Sequence, residues 1–313
     1  MSSSAPQLPQ RAKRGPGLLI GIIAAIVVIA IVVVILVVSN RGSSSAAAAK
    51  TVSIGVADKA EPYWKTYTKL AKDKLGVTIK LVNFTDYSLP NPALSQGQTD
   101  LNEFQHIQYL ANYNVTNSDD LQPIGATAVY PLPLYSTKYD DASKIPSGAK
   151  VAIPNDAVNE ARGLLILQSA KLITLKGGGN AFSTAADIET HSVDVTPIDA
   201  SQTAGALKAG SVAAAIVNQN YATTGGLSKS DAIFKDDPSS ASAAPYVNVF
   251  VAKKKDDDNA LYLKLAKLYH TASVEKGVQA ANAGTAVFRS TSAADLQKEL
   301  AQVEKDAKAA AAK

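Results

Sequence analysis

Residues 17–38, GLLIGIIAAIVVIAIVVVILVV, contain no charged and no polar side chain. As a helix, at about 1.5 Å per residue, the run spans roughly 33 Å, enough for a bilayer core of about 30 Å. Its many β-branched residues are poor helix formers in water. In lipid, however, every backbone group must bond within its own segment, so the helix prevails. Arg11, Lys13 and Arg14 precede the run and only Arg41 follows it closely. That bias predicts a cytoplasmic segment at 1–16, a single-pass anchor at 17–38 and everything later outside the cell. A signal peptide is the competing reading, and Ala46–Ala49 offers a cleavage site. A signal's apolar region normally covers about 7–15 residues, shorter than this one, so an uncleaved anchor is expected.

The formal charge of +4 belongs to the N-terminus. Four of the 31 basic residues lie in 1–49, which hold no acidic residue, leaving 27 against 27 in the remainder. A neutral body argues against nucleic acid as a partner. The chain has no cysteine, which excludes disulfides and thiolate metal sites. His106, His191 and His270 are scattered and show no zinc-like spacing, so no metal and no cofactor is expected. Residues 39–50, SNRGSSSAAAAK, read as a tether.

Beyond the tether, short β-prone runs alternate with helical ones. Val52–Ala57 reads as a buried strand, 61–75 as a helix stopped by Gly76, and Val77–Val82 as a second strand, which makes a β-α-β unit and a parallel sheet. A short helix is predicted over 91–97 and another over 103–113, with Asn102 as its cap. Gln122–Tyr135 is extended, with Pro131 and Pro133 suiting a segment that crosses between lobes. Further strands are expected at Lys150–Pro154, 193–198 and Ala213–Val217, with helices over 159–171 and 203–209. Tyr246–Lys253 is read as a strand returning across the lobes. One long amphipathic helix is expected over Asn259–Glu275, and a terminal helix over 299–313. The pattern is α/β with two crossings: lobe 1 at 51–132 and 247–313, lobe 2 at 133–246.

Residues 84–110, FTDYSLPNPALSQGQTDLNEFQHIQYL, concentrate Phe84, Tyr87, Phe104, His106 and Tyr109 around a Pro-Asn-Pro turn. Rings gathered at one mouth, with polar groups among them, suit a small ligand that is apolar at one end and charged at the other. Composition alone favours an ordinary aromatic core, because aromatic clusters are usually core. The spacing F-x-D-Y-x-x-P-N-x-A-L-x-x-G-x-x-D-x-N-x-F-Q-H-x-x-Y-L resembles the substrate-binding lipoproteins of bacterial methionine ABC importers, the NlpA-like family. Three later stretches resemble the same family in order: Val151–Asp156 with Asn159 and Arg162, Ala215–Ala222, and Pro245–Val249. The resemblance implies a two-lobed type II periplasmic-binding-protein fold with a ligand cleft, preceded here by the transmembrane helix.

It also implies a binding role, with no catalysis. No activated nucleophile accompanies His106, so an enzyme is not expected. Arg162 and Asn159, one helical turn apart, match the family's carboxylate-binding positions; an arginine fork suits a carboxylate. Asn218 and Asn248 match ligand positions whose amide oxygens would accept from an ammonium. Tyr87, Phe104, His106 and Tyr109 match the walls around the ligand's side chain, where a thioether packs well on aromatic rings. Asn220 reads as a turn or capping residue. The expected function is an extracellular substrate-binding protein that passes methionine, or a related amino acid, to an ABC permease and ATPase. A sensory or scaffolding ectodomain without transport is the alternative. Departures from the family pattern are the missing lipidated Cys, the segment Asp58-Lys59-Ala60-Glu61-Pro62-Tyr63-Trp64 in place of a glycine-rich turn, and Glu160-Ala161 beside Arg162.

Overall fold

The computed structural model describes residues 50–312; the anchor at 17–38 and most of the tether lie outside them. Among the described residues, no helix is long and apolar enough to cross a membrane. The strands are β1 Thr51–Val56, β2 Thr78–Asn83, β3 Leu101–His106, β4 Gln122–Val129, β5 Pro133–Tyr135, β6 Lys150–Pro154, β7 Ile173–Leu175, β8 Ile188–His191, β9 Asp194–Ile198, β10 Ala214–Ile216, β11 Ala232–Lys235, β12 Val247–Ala252 and β13 Val287–Phe288. The helices are α1 Pro62–Leu75, α2 Pro90–Ser95, α3 Ile107–Asn117, α4 Ala157–Ser169, α5 Thr203–Lys208, α6 Gln219–Thr224, α7 Ala260–Leu268, α8 Ala272–Ala281 and α9 Ala293–Ala311.

Two mixed sheets result. One has six strands in the order β13-β4-β12-β3-β1-β2; the other has five, β11-β5-β10-β6-β9. The chain passes from the first to the second through Tyr130–Leu132 and returns before Val247. Pro131 lies in the passage and Pro133 opens β5: a residue without an amide hydrogen cannot donate to a ladder and suits a connection or the first position of a strand. The predicted strand at 246–253 does not cross; as β12 it lies wholly in the six-stranded sheet, antiparallel to β3 and β4. The buried core of the six-stranded sheet carries an aromatic cluster of Trp64, Tyr67, Phe250 and Tyr269. The five-stranded sheet has its own core, built on Leu134, Val151, Ile153, Leu164 and Ile216.

Two helical expectations are corrected. Residues 103–106 are strand, and helix begins only at Ile107, capped by His106, whose ring accepts from the Tyr109 amide. Pairing of β3 with both β1 and β12 outweighs local helix propensity. The Asn102 side chain does not cap; it donates to Asn91 within a buried amide network. The helix expected over 259–275 is two, α7 and α8, broken around Tyr269–Thr271. Tyr269 is fully buried, and His270 bonds both the Ala126 carbonyl and Glu275, so tertiary contacts turn the chain there.

Close packing of α8 on α1 depends on Gly277, where an added Cβ would lie 2.8 Å from the Tyr63 Cβ and 3.3 Å from its Cα. Gly277→Ala gains about 1 kcal/mol of helix propensity but forces two backbones apart at a cost of about 1–3 kcal/mol. A net destabilisation of about 1 kcal/mol is expected by urea denaturation; a more stable variant would show that α8 moves freely on α1.

Candidate functional site

The site grows from the ends of strands. Strand β3 carries a bulge: Phe250 faces Glu103 and Val249 faces Gln105, which leaves Phe104 as the extra residue. The bulge interrupts the two-residue alternation, and Glu103, Phe104, Gln105 and His106 all line one cavity. Gln105 and Asn102 meanwhile bond Asn91. Strand β10 ends before Asn218, and β6 ends at Pro154 before Asp156 starts α4. Strand ends in open α/β sheets point into crevices, and these do.

All eight residues expected to bind ligand, namely Tyr87, Phe104, His106, Tyr109, Asn159, Arg162, Asn218 and Asn248, line this cavity. It holds about 120 Å³, several times the minimum of roughly 10–15 Å³ that a water molecule needs. Tyr87, Phe104 and Tyr109 form a ring wall with centroids 5.9–6.2 Å apart. Tyr221 joins it at 4.9 Å from Tyr87. Phe84 is not in the wall; it packs over Gly55.

His106 is 8% exposed, and its Nδ1 accepts from the Tyr109 amide at 3.2 Å. Burial, then the nearby Arg162 charge, holds its pKa down to about 3. The ring is therefore neutral at physiological pH, with its proton on Nε2, free to donate. Arg162 is 5% exposed. Its Nε and Nη2 both donate to Asp236 Oδ2, at 2.9 and 2.6 Å, and Nη2 also donates to the Tyr130 carbonyl at 2.8 Å. Its guanidinium carbon sits 4.3 Å from the centre of the Tyr246 ring. The side-on fork expected for a ligand carboxylate is thus taken by Asp236, and the N–H groups of Nη1 remain. Asp236 was not foreseen: it lies 74 residues from Arg162, and no local pattern marks it.

Asn159 spends both ends of its amide inside the protein. Its Nδ2 donates to Asp156, and its Oδ1 accepts from Asn218 Nδ2 at 3.1 Å. It orients Asn218, whose Oδ1 is buried without a partner among the described residues. An orphaned buried acceptor at a cavity wall is costly unless a ligand donor reaches it. Asn248 pairs with His106 across β12 and β3; its amide makes only a 3.5 Å contact to Tyr246 O. Asn220 is no mere turn residue, because Tyr87 donates its hydroxyl to Asn220 Oδ1 across the cavity. The Tyr221 hydroxyl donates to Thr85 O at 3.0 Å. Glu160, adjacent in sequence to the Arg162 region, turns to accept from the Ala185 amide at 2.8 Å.

Asp58, Glu61, Glu103 and Asn282 also line the cavity and were missed. For Asp58 and Glu61 the sequence signal was present in the departures noted around 58–64; none marked Glu103 or Asn282. Among the described residues, no group of His, Cys, Asp and Glu is arranged to hold a metal ion.

Two mixed sheets with a polar and aromatic cavity at their strand ends define a periplasmic-binding-protein fold. The family description NlpA lipoprotein matches residues 51–289, and the chain belongs to that family. A probable D-methionine-binding lipoprotein MetQ of Haemophilus influenzae is 38% identical over 215 residues, 67% of this chain and 77% of that one. The substrate-binding protein of a methionine transporter from Streptococcus pneumoniae superposes with a TM-score of 0.70 at 35% identity, over 76% of this chain and 95% of that one. A nutrient-binding protein from Burkholderia cenocepacia, solved bound to methionine, gives 0.69 at 34% identity, over 76% and 99%.

Proposed function

We propose that this chain is the extracellular substrate-binding protein of an ABC importer, and that it captures methionine or a closely related amino acid and hands it to a permease. One observation carries the reading. A cavity of amino-acid scale joins a buried arginine with spare N–H groups, an unpartnered buried amide oxygen and a wall of rings. Those are the three things a zwitterion with an apolar tail requires. Arg162 Nη1 takes the carboxylate. Asn218 Oδ1 and Asn248 accept from the ammonium, with Asn159 holding Asn218 in place. Tyr87, Phe104, His106 and Tyr109 enclose the side chain. The relatives that bind methionine support this choice of ligand.

In this reading the protein is two-lobed and of type II, with lobe 1 at 51–132 and 247–313 and lobe 2 at 133–246. The lobes close by a hinge at the two connections between the sheets. The bonds Tyr87–Asn220 and Tyr221–Thr85 then belong to the closed state. Residues 17–38 serve as the membrane anchor, in the role a lipidated cysteine cannot fill in a chain without cysteine. Native mass spectrometry of the purified body, residues 50–313, tests the proposal. A retained small molecule with the mass of methionine is expected, together with a rise in melting temperature when methionine is added to stripped protein. The absence of both a retained amino acid and a shift at millimolar methionine would sink the reading.

A further inference from the structure

The cavity is also lined by acidic side chains that the eight expected residues leave without a task. Asp58, Glu61 and Glu103 all line it. None of them forms an ion pair with Lys, Arg or His among the described residues. Glu103 is 5% exposed; Thr127 donates to its Oε1 at 3.0 Å, and its Oε2 has no hydrogen-bond partner among the described residues. Asp58 accepts from the Tyr63 hydroxyl and from Trp64 Nε1, the latter at 2.7 Å. A separate element contributes to the same cavity. Asn282, 8% exposed and just beyond α8, donates its Nδ2 to the Val278 carbonyl at 2.8 Å, while its Oδ1 accepts from nothing among the described residues. Beyond the bonds from Tyr63, Trp64 and Thr127, Glu103 Oε2 and Asn282 Oδ1 thus remain as acceptors that line the same cavity as the Asp58 carboxyl, with no donor bonded to them among the described residues. Buried acceptors of that kind are satisfied by a cation that also donates hydrogen bonds.

We propose that Asp58, Glu103 and Asn282 form an ammonium subsite in the cavity, so that the ligand must carry a primary ammonium that reaches them. The inference rests on the amino-acid reading above and deepens it, because it makes these residues determinants of specificity. Two sources of that ammonium are compatible with the chemistry: the α-amino group of the amino acid, whose three N–H groups would then be shared between these residues and the Asn218 and Asn248 amides, or a second amino group on its side chain. Burial favours the protonated form of these acids. Burial, reinforced by the Asp58 charge and opposed by the Thr127 bond, lifts the Glu103 pKa to about 8. Asp58 is lifted by burial too, against the hydrogen bonds from Tyr63 and Trp64. The other titratable groups facing them are Glu61 and the phenols of Tyr63, Tyr67, Tyr130 and Tyr269. Lys229, the cation that bears on Glu61, donates to the Ala280 carbonyl.

Calorimetric titration of the protein with three probes tests this: L-methionine, its desamino analogue 4-(methylsulfanyl)butanoate, and L-ornithine. Glu103→Gln and Asp58→Asn are compared with wild type; Glu103→Gln keeps an acceptor for Thr127, and Asp58→Asn keeps one for Trp64 while its NH2 can donate to the Tyr63 hydroxyl oxygen, so either can serve if the other fails to fold. Loss of a charge-assisted bond predicts at least about tenfold weaker binding of the ammonium-bearing ligand, with the desamino analogue unaffected. Weakening of methionine identifies the α-amino group as the occupant; weakening of ornithine alone identifies a side-chain amine. Trp64, the single tryptophan, donates to Asp58, so its emission should change when the subsite fills and stay constant with the desamino analogue. Variants that bind both amino acids as tightly as wild type overturn the subsite. A wild-type protein that binds none of the three probes overturns the amino-acid reading, and the subsite with it.

Discussion

Replacing Arg162 with alanine abolishes the thermal stabilisation that methionine confers, and it weakens the empty protein as well. A ligand at a hundred times its dissociation constant raises stability by about 2.7 kcal/mol, and the whole of that gain should vanish when the carboxylate anchor is removed. The second effect follows from where the guanidinium sits. Its Nε and Nη2 hold Asp236, and Nη2 also holds the Tyr130 carbonyl in the connection between the sheets. Without it, Asp236, whose side chain is 24% exposed, is a carboxylate with only the Leu132 amide to bond among the described residues. Breaking a buried pair on one side costs about 3–5 kcal/mol; partial exposure of Asp236 brings the expectation to about 2–3 kcal/mol. Arg162→Lys does not rescue, because one ammonium cannot span Asp236, the Tyr130 carbonyl and a ligand at once. Scanning fluorimetry with and without methionine reads both effects. A shift preserved in the alanine variant would remove Arg162 from the site.

The empty protein should lose stability as the pH rises from 6.5 to 8.5, by about 2 kcal/mol, and Glu103→Gln should lose little of it. Glu103 titrates near 8 in the folded chain, against 4.5 for an ordinary glutamate. A carboxyl whose folded pKa is raised stabilises fully below its unfolded pKa, and that stabilisation drains away as pH climbs through the folded value. At about 1.4 kcal/mol per pH unit while the folded group stays protonated, two units near its midpoint give the stated loss. His106 has the opposite sign, because its folded pKa is depressed to about 3. Its contribution grows between about 3 and its ordinary value of 6.5 and is complete above that, so it adds no slope in the chosen window. Urea unfolding at intervals of pH, on wild type and Glu103→Gln, isolates the glutamate. Parallel profiles would mean that Glu103 is ionised in the empty cavity.

Much of the site was legible because chemistry and local spacing coincide. Asn159 and Arg162 fall on one helix face, Asn218 follows an apolar strand, and the rings of 84–110 cluster around a turn. The structure gathers all eight expected residues about one cavity. What each does there was less legible. Asn159 read as a ligand contact, yet both ends of its amide are committed to Asp156 and Asn218. The Arg162 fork read as free, yet Asp236 occupies it. Residues 103–113 read as helix because their local propensity permits one; two neighbouring strands make 101–106 extended instead.

By itself, the order of residues determined the alternation of strands and helices, the break at Pro131 and Pro133, the apolar span at 17–38 and the family. These depend on near neighbours: periodicity, backbone geometry and uninterrupted apolarity. Only the tertiary structure decided which oxygen faces which proton. Glu103 lines the cavity beside the bulge at Phe104, Asp236 closes on Arg162 from 74 residues away, and Asn282 arrives from beyond α8. Such pairings depend on burial and on groups distant in the chain, because a charge or an amide acquires its meaning from the partner that shares its enclosure.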